Sequence, residues 1–286
     1  MICISIQKTP FEETLALLES PAVEMAELRL DLSDYTVREV ERLCSLPVPV
    51  IATCRYAVAG AERTEEQLSA AICAGAAFTD IELEMPKALS VRLCEQACSH
   101  GCRVIRSWHD FKGTPGIGTL EAKLRECLAG GADIVKVVTM ALSPEDSAKV
   151  LSLYSDEVSA GLEGRLVAFA MGEAGRQSRI ASLGLGAPFT YACMDGSSPT
   201  APGQPEARNI YMQIYGTVSP LRLIDGKVEI PQSKSTVQRR IIAAALAGED
   251  YEIDENDLND DVRAAMSVSS LIKNRMIEKK NGVEKQ

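Results

Sequence analysis

The stretch AELRLD, residues 26–31, alternates apolar and charged side chains one for one. A β-strand sends successive side chains to opposite faces. Glu27, Arg29 and Asp31 therefore share one face, and Ala26, Leu28 and Leu30 share the other. The apolar face suits a covering layer of helices, which leaves the charged face pointing inward. Inward charge is expected near the C-terminal strand ends of a parallel barrel, where active sites sit. A single charged triplet is more often solvated or ion-paired than catalytic. It gains weight here because other strands do the same.

Working outward, β-rich runs recur at Ile2–Ile6, Glu24–Asp31, Val48–Arg55, Phe78–Glu84, Arg103–Asp110, Ile134–Met140, Arg165–Met171 and Phe189–Met194. Helix-like stretches separate most of them, among them PFEETLALLE, TVREVERLCS, EEQLSAAICAG, PKALSVRLCEQACS and TLEAKLRECLAGG. Strands alternating with amphipathic helices predict parallel βα units, and eight of them predict an α/β fold closed as a (β/α)8 TIM barrel. The alternative is an open doubly wound sheet, but no Gly-rich phosphate loop follows the first strand. Gly184-Leu185-Gly186 reads as a helix end. The polar stretch DGSSPTAPGQP reads as a loop, and PEARNIYMQIYG as a closing helix. Near residue 218 the pattern changes: LRLIDGKVEI predicts a hairpin turning at Asp225-Gly226, followed by a helix at RRIIAAALAG, an acidic stretch and a charged tail.

The bulk composition excludes several classes. With 46% hydrophobic and 24% charged residues, the 286-residue chain can form a sizeable core. A formal net charge of −10 argues against a nucleic-acid partner, which requires clustered Lys and Arg. No apolar run is long enough to span a bilayer, so no membrane partner is expected. MICISI lacks a basic run before an apolar stretch, so no signal peptide is expected and the location predicted is cytoplasmic. The nine cysteines are scattered, with no zinc spacing, and read as small buried thiols in a reducing compartment. Only His100 and His109 are available for histidine chemistry.

Strand parity selects the candidate chemistry. In DIVKVVTM, Lys136 shares a face with Ile134, Val138 and Met140. Burial in a β-branched run disfavours the ammonium, Arg29 is a candidate second cause, and a neutral amine can attack a ketone. The alternatives are a lysine that snorkels outward or one paired with an acid. In RVIRSWHDF, Ser107 and His109 face inward and Trp108 the helix layer. A histidine there is placed for acid–base work, or is structural with its hydrogen bonds satisfied. Asp80 and Glu82 either hold its ring in one tautomer or pair with core cations; a divalent metal between them is a further option, and none is expected. Arg55 and Arg179, at strand ends, suit an anionic or polyhydroxylated substrate, against the default of surface arginine.

Taken together, these residues resemble type I 3-dehydroquinate dehydratase. The carriers are ELRLD at 27–31, TCR at 53–55, SWHDF at 107–111, GADIVK at 131–136, the SR pair at 178–179 and TAPGQ at 200–204. They run in order over roughly residues 1–215, essentially that family's full length. The resemblance implies a lyase domain over 1–218 that removes water from 3-dehydroquinate in a syn elimination. Lys136 forms an imine with the C3 ketone, and His109 removes the C2 proton and then protonates the departing C1 hydroxyl. Arg179 binds the substrate carboxylate. Glu27, Arg55, Thr200 and Gln204 hold ring hydroxyls and close the loop, Arg29 depresses the Lys136 pKa, and Met171 and Tyr191 line the pocket. No cofactor is implied, because the imine is the electron sink. Family members are often dimers, so a homodimer is an expectation by analogy.

The chain also departs from the family. Many members carry glutamate four residues after the arginine at Arg55, where RYAVAGAE has Ala59; Glu62 is the nearest candidate substitute. The serine usual before A-P-G-Q is Thr200. Residues 219–286 resemble the start of 5-enolpyruvylshikimate-3-phosphate synthase, through IPQSKSTVQRRIIAAALAG at 230–248 and LNDDVRAA at 258–265. In that family the positions of Lys234, Ser235 and Arg239 contact phosphorylated substrate and phosphoenolpyruvate. Most of that enzyme is missing, so no transferase activity is expected and the short segment is expected to be mobile. Two other readings compete with this one. A Schiff-base aldolase explains Lys136 but gives His109 and TAPGQ no common role. A degenerate barrel retained as a scaffold fits Ala59 but not intact Lys136, His109 and Arg179.

Overall fold

In the computed structural model the described residues are 1–216, 234–247, 251, 253 and 260–283. By internal packing the chain divides into Met1–Leu223 and Ile224–Gln286. The first unit alternates strands and helices: β1 (Ile2–Ile6), α1 (Phe11–Leu18), β2 (Met25–Arg29), α2 (Val37–Cys44), β3 (Val50–Thr53), α3 (Tyr56–Ala74), β4 (Phe78–Glu82) and α4 (Lys87–His100). It continues with β5 (Arg103–Asp110), α5 (Ile117–Ala129), β6 (Ile134–Met140), α6 (Pro144–Leu151), a 3-10 turn (Ser152–Tyr154), α7 (Asp156–Ser159), β7 (Leu166–Met171), α8 (Ser178–Gly184), β8 (Thr190–Cys193) and α9 (Ala207–Tyr215).

All eight strands are parallel, in the order β7-β6-β5-β4-β3-β2-β1-β8. Because β8 returns to pair with β1, this is a (β/α)8 barrel, as the strand–helix alternation predicted. The β7–β8 junction has no ladder pairing among the described residues. Side chains and loops bridge it instead: the Phe169 and Tyr191 rings lie 6.1 Å apart, and Gly172 N donates to Pro202 O at 3.1 Å.

Strand parity sorts the core into layers. Ala26, Leu28, Leu30, Val135 and Val137 face the helices, whereas Met25, Ile134, Val138, Phe169 and Tyr191 fill the interior. Helix ends follow local rules. Thr36 caps α2 in a reciprocal box with Glu39, and Gly75 and Gly101 end α3 and α4 in the left-handed conformation. Most strands are shorter than predicted, and some trimmed tips keep a single bond to the next strand, such as Leu30 N to Thr53 O at 2.8 Å and Leu83 N to Ser107 O at 2.9 Å. Arg55, expected to end β3, instead caps α3, which begins at Tyr56 rather than at Glu65, where the EEQLSAAICAG segment starts, and kinks at Gly60 (φ 76°). The cysteines are all free, but Cys73 and Cys98 are exposed rather than buried.

The second unit, described by itself, contains α10 (Lys234–Ala247) and α11 (Asp260–Val283). Val237, Ile241 and Val262 form a small core with Tyr251, Ile253 and Ala265. The expected charged tail is thus helical over residues 260–283, because Val262 and Ala265 give α11 an apolar face to pack. The predicted hairpin at 221–230 and the side chains of Lys234 and Ser235 lie outside the described residues; Arg239 is exposed.

Candidate active site

The C-terminal ends of the strands enclose a cavity of about 190 Å³, room for about six waters or one small molecule. Glu27, Arg29, Arg55, Glu82, His109, Lys136, Met171, Arg179, Tyr191, Thr200 and Gln204 all line it. Asp80 stands just behind as the partner of Lys136. Residues from six strands, two loops and the helix α8 thus converge on one space.

Lys136 is 3% exposed and does not snorkel. Its Nζ donates to Asp80 Oδ2 at 2.8 Å, lies 3.9 Å from Glu27 Oε1, and sits 4.4 Å above the Tyr191 ring. Of the alternatives open in the sequence, the acid-paired lysine is the one realised. Burial alone would raise the Asp80 carboxyl, but Lys136, Arg55 and the hydroxyl of Ser107 outweigh it and hold the carboxyl below its ordinary range. Arg29 is engaged with Asp31 through two bonds of 3.0 and 2.8 Å, so its charge is compensated locally.

His109 lies at the end of β5 with Phe111 stacked on its ring, centroids 5.8 Å apart. Burial, then Arg55, Lys136, Arg29 and Arg179, push its pKa well below the ordinary histidine value. The neutral imidazole therefore prevails at neutral pH, as a general base requires. Neither Asp80 nor Glu82 touches the ring, contrary to one sequence expectation. Asp80 accepts from Lys136 and Ser107, while Glu82 accepts from Arg55 and from Tyr56 N. Arg55 lies between, with Nη1 2.9 Å from His109 Nδ1 and Nη2 2.7 Å from Nε2.

Arg179, from the first turn of α8, is 1% exposed, and its Nε and Nη2 have no hydrogen-bond partner. Its guanidinium stacks 4.2 Å over Phe169, and burial lowers its pKa to about 10. A buried, unpaired guanidinium facing a cavity is a receptor for an anion.

Thr200 and Gln204 are joined to the barrel by a chain of bonds. Thr200 N and Oγ1 donate to Gln204 Oε1 at 2.7 and 2.8 Å, Gln204 Nε2 donates to Ser5 Oγ at 3.0 Å, and Ser5 Oγ donates to Glu27 Oε2 at 2.7 Å. Thr53 Oγ1 fills the other oxygen of Glu27 at 2.9 Å. Ser5 and Thr53 escaped the sequence reading, although parity in ICISI puts Ser5 on the inward face beside Cys3. The loop is seated by glycine: Gly203 has φ +69°, and a Cβ there would fall 2.2 Å from Gly172 O. Glu62, the candidate replacement for the missing glutamate, is exposed and away from the cavity lining, and Ala59 packs against the outer core. Among the described residues no cluster of three or more His, Cys, Asp or Glu is arranged to hold a metal.

Such a mouth, with a buried lysine, a neutral histidine and an anion-seeking arginine, defines an enzyme of the (β/α)8 class with an amine at its centre. Residues 2–218 match the model of the type I 3-dehydroquinase family. The 3-dehydroquinate dehydratase of Dehalococcoides mccartyi (strain ATCC BAA-2100 / JCM 16839 / KCTC 5957 / BAV1) is 37% identical over 227 residues, covering 76% of this chain and 96% of that relative. That of Desulfotalea psychrophila (strain LSv54 / DSM 12343) is 35% identical over 211 residues, covering 71% and 92%. The crystal structure of the 3-dehydroquinate dehydratase from Aquifex aeolicus VF5 matches with a TM-score of 0.61 at 28% identity, over 75% of this chain and 99% of that one. The chain belongs to the type I 3-dehydroquinase family. Among the described residues no helix is long and apolar enough to cross a membrane.

Proposed function

We propose that this chain dehydrates 3-dehydroquinate to 3-dehydroshikimate through an imine on Lys136. The observation that carries the reading is the pairing, in one cavity, of a buried amine with a buried arginine whose Nε and Nη2 lack a hydrogen-bond partner. The substrate this demands is a ketone bearing a carboxylate. Arg179 holds the carboxylate, which sets the C3 carbonyl toward Lys136. Attack requires the neutral amine, and Asp80 at 2.8 Å is placed to receive the proton that Lys136 sheds. Condensation releases water and leaves an iminium that draws electrons from C2. His109 takes the C2 proton to give an enamine. The enamine then expels the C1 hydroxyl as water, with His109 returning the proton on the same face. Hydrolysis of the remaining imine frees product and Lys136. Glu27, Arg55, Thr200 and Gln204 hold ring hydroxyls, Met171 and Tyr191 line the pocket, and Asp80 and Glu82 stand behind Lys136 and Arg55. The electron sink is the imine itself, so the reading calls for no cofactor.

The same reading treats residues 1–218 as the catalytic domain and residues 219–286 as a truncated piece of a 5-enolpyruvylshikimate-3-phosphate synthase, without transferase activity. The sequence stretches at 230–248 and 258–265 support it. It also assigns a cytoplasmic homodimer, by analogy with the family. Borohydride reduction with 3-dehydroquinate, followed by peptide mass spectrometry, tests the central step. A reduced adduct on Lys136, lost in Lys136→Ala, is expected; a folded protein left unmodified would sink the imine.

A further inference from the structure

The contact between Arg55 and His109 creates a conflict with the base role proposed for His109. A guanidinium has only donors, and a neutral imidazole has one acceptor nitrogen. At most one of the two close contacts, 2.9 Å to Nδ1 and 2.7 Å to Nε2, is therefore a hydrogen bond at any moment. That bond consumes the lone pair that must take the substrate proton. An imidazolium would offer no acceptor and would face a second cation. His109 thus cannot act as a base while Arg55 stays where it is.

Arg55 is held there from behind. Glu82 Oε1 pairs with its Nη1, while Glu82 Oε2 accepts from Tyr56 N at 3.0 Å, which ties the carboxylate to the first turn of α3. Both side chains are nearly out of solvent, at 13% and 12% exposure, so the pair is not a loose surface contact. Phe111 covers one face of the imidazole. The other charged groups around the ring are Lys136 with Asp80 on neighbouring strands, Arg29 and Glu27 on β2, and Arg179 on α8. None of them is hydrogen-bonded to the ring, so Arg55 alone decides whether its lone pair is free.

We propose that Arg55, anchored by Glu82, is a substrate-released lock on His109, opened when a hydroxyl of the bound ring draws the guanidinium off the imidazole. Glu82 is then a positioning residue that acts through Arg55. The lock has a chemical use. It keeps the base silent until a polyhydroxylated ring is in place. Once His109 has taken the C2 proton, the returning positive field of Arg55 favours its donation to the departing hydroxyl. The inference rests on the base role proposed above for His109.

The chain's two histidines make a direct test possible. His100 is exposed at the end of α4, so a full-length His100→Gln protein carries one ring to observe. Ring 15N chemical shifts would be measured in the empty protein, in an added Arg55→Ala change, and in the protein with 3-dehydroquinate reduced onto Lys136. The empty protein should show its acceptor nitrogen displaced from the unbonded pyridine-type position. Arg55→Ala should return it there and raise the titration midpoint of the ring. Glu82→Ala, which unties Arg55 without removing it, should move the signal the same way and serves if Arg55→Ala does not fold. Reduction onto Lys136 should also take the nitrogen off its arginine-bonded position. A spectrum identical with and without Arg55, or one unchanged by the adduct, overturns the lock. Absence of any adduct by mass is a different failure, that of the imine reading, and leaves the empty-protein comparison standing.

Discussion

Lys136 and Asp80 form a buried ion pair across the barrel interior, Nζ to Oδ2 2.8 Å, with the lysine 3% and the aspartate 1% exposed. Two charges withdrawn from water this far are stable only together. Asp80→Asn strands the lysine, with Glu27 at 3.9 Å as partial compensation, and should cost about 3 kcal/mol in urea denaturation. Adding Lys136→Met should recover most of that loss. Losses that simply add would show that the two side chains are not energetically coupled.

Arg179 presents the opposite balance, a buried charge with no partner. A pKa lowered to about 10 from 12.5 corresponds to about 3 kcal/mol of penalty, present at all pH values below about 10. Arg179→Met should therefore raise the denaturation midpoint of the empty protein while raising KM for 3-dehydroquinate at least tenfold. Destabilisation by this change would mean that the guanidinium has found a partner in solution.

The pH dependence follows from His109. Its pKa in the folded chain is well below 6.5, so the acid limb of kcat/KM should fall below pH 6.5 rather than at it. The sign for stability is the same. Between the folded and unfolded pKa values the unfolded chain binds the extra proton, so stability declines as pH drops below about 6.5, by up to about 1.4 kcal/mol per unit. A pH profile of kcat/KM together with urea titrations at several pH values checks both.

Gly203 should tolerate no side chain. At φ +69°, with Gly172 O 2.2 Å from a built Cβ, Gly203→Ala must displace the loop that carries Thr200 and Gln204. Misplacing those two groups by about 1 Å should lower kcat/KM on the order of 10²-fold with little loss of global stability. Steady-state kinetics and thermal denaturation of the same sample separate the two effects.

Deleting residues 219–286 should leave kcat and KM unchanged, since among the described residues those lining the cavity all lie at or before Gln204. Loss of activity in a folded truncated protein would give the second unit a role in catalysis.

The barrel was legible because its signal is periodic. Alternation in AELRLD, DIVKVVTM and RVIRSWHDF set which side chains point inward, and Glu27, Arg29, Lys136 and His109 lie at one cavity. Boundaries were read less well. Arg55 looked like the end of a strand and is a helix cap, since nothing local separates the last extended residue from the first helical one. Ser5 went unread although strand parity turns it inward, because a serine in an apolar run gains its role only from Glu27 and Gln204, which the fold brings to it.

Sequence alone determined the strand–helix alternation, the inward face of the strands at AELRLD, RVIRSWHDF and DIVKVVTM, and the family, because all three are carried by residue type and order along the chain. The tertiary structure decided who pairs with whom. Asp80 went to Lys136 and Glu82 to Arg55, neither went to His109, and Arg179 was left without an anion. Those choices depend on distances of a few ångströms between strands far apart in sequence. Electrostatic and hydrogen-bond energies change over that range, and no local pattern of residues encodes it.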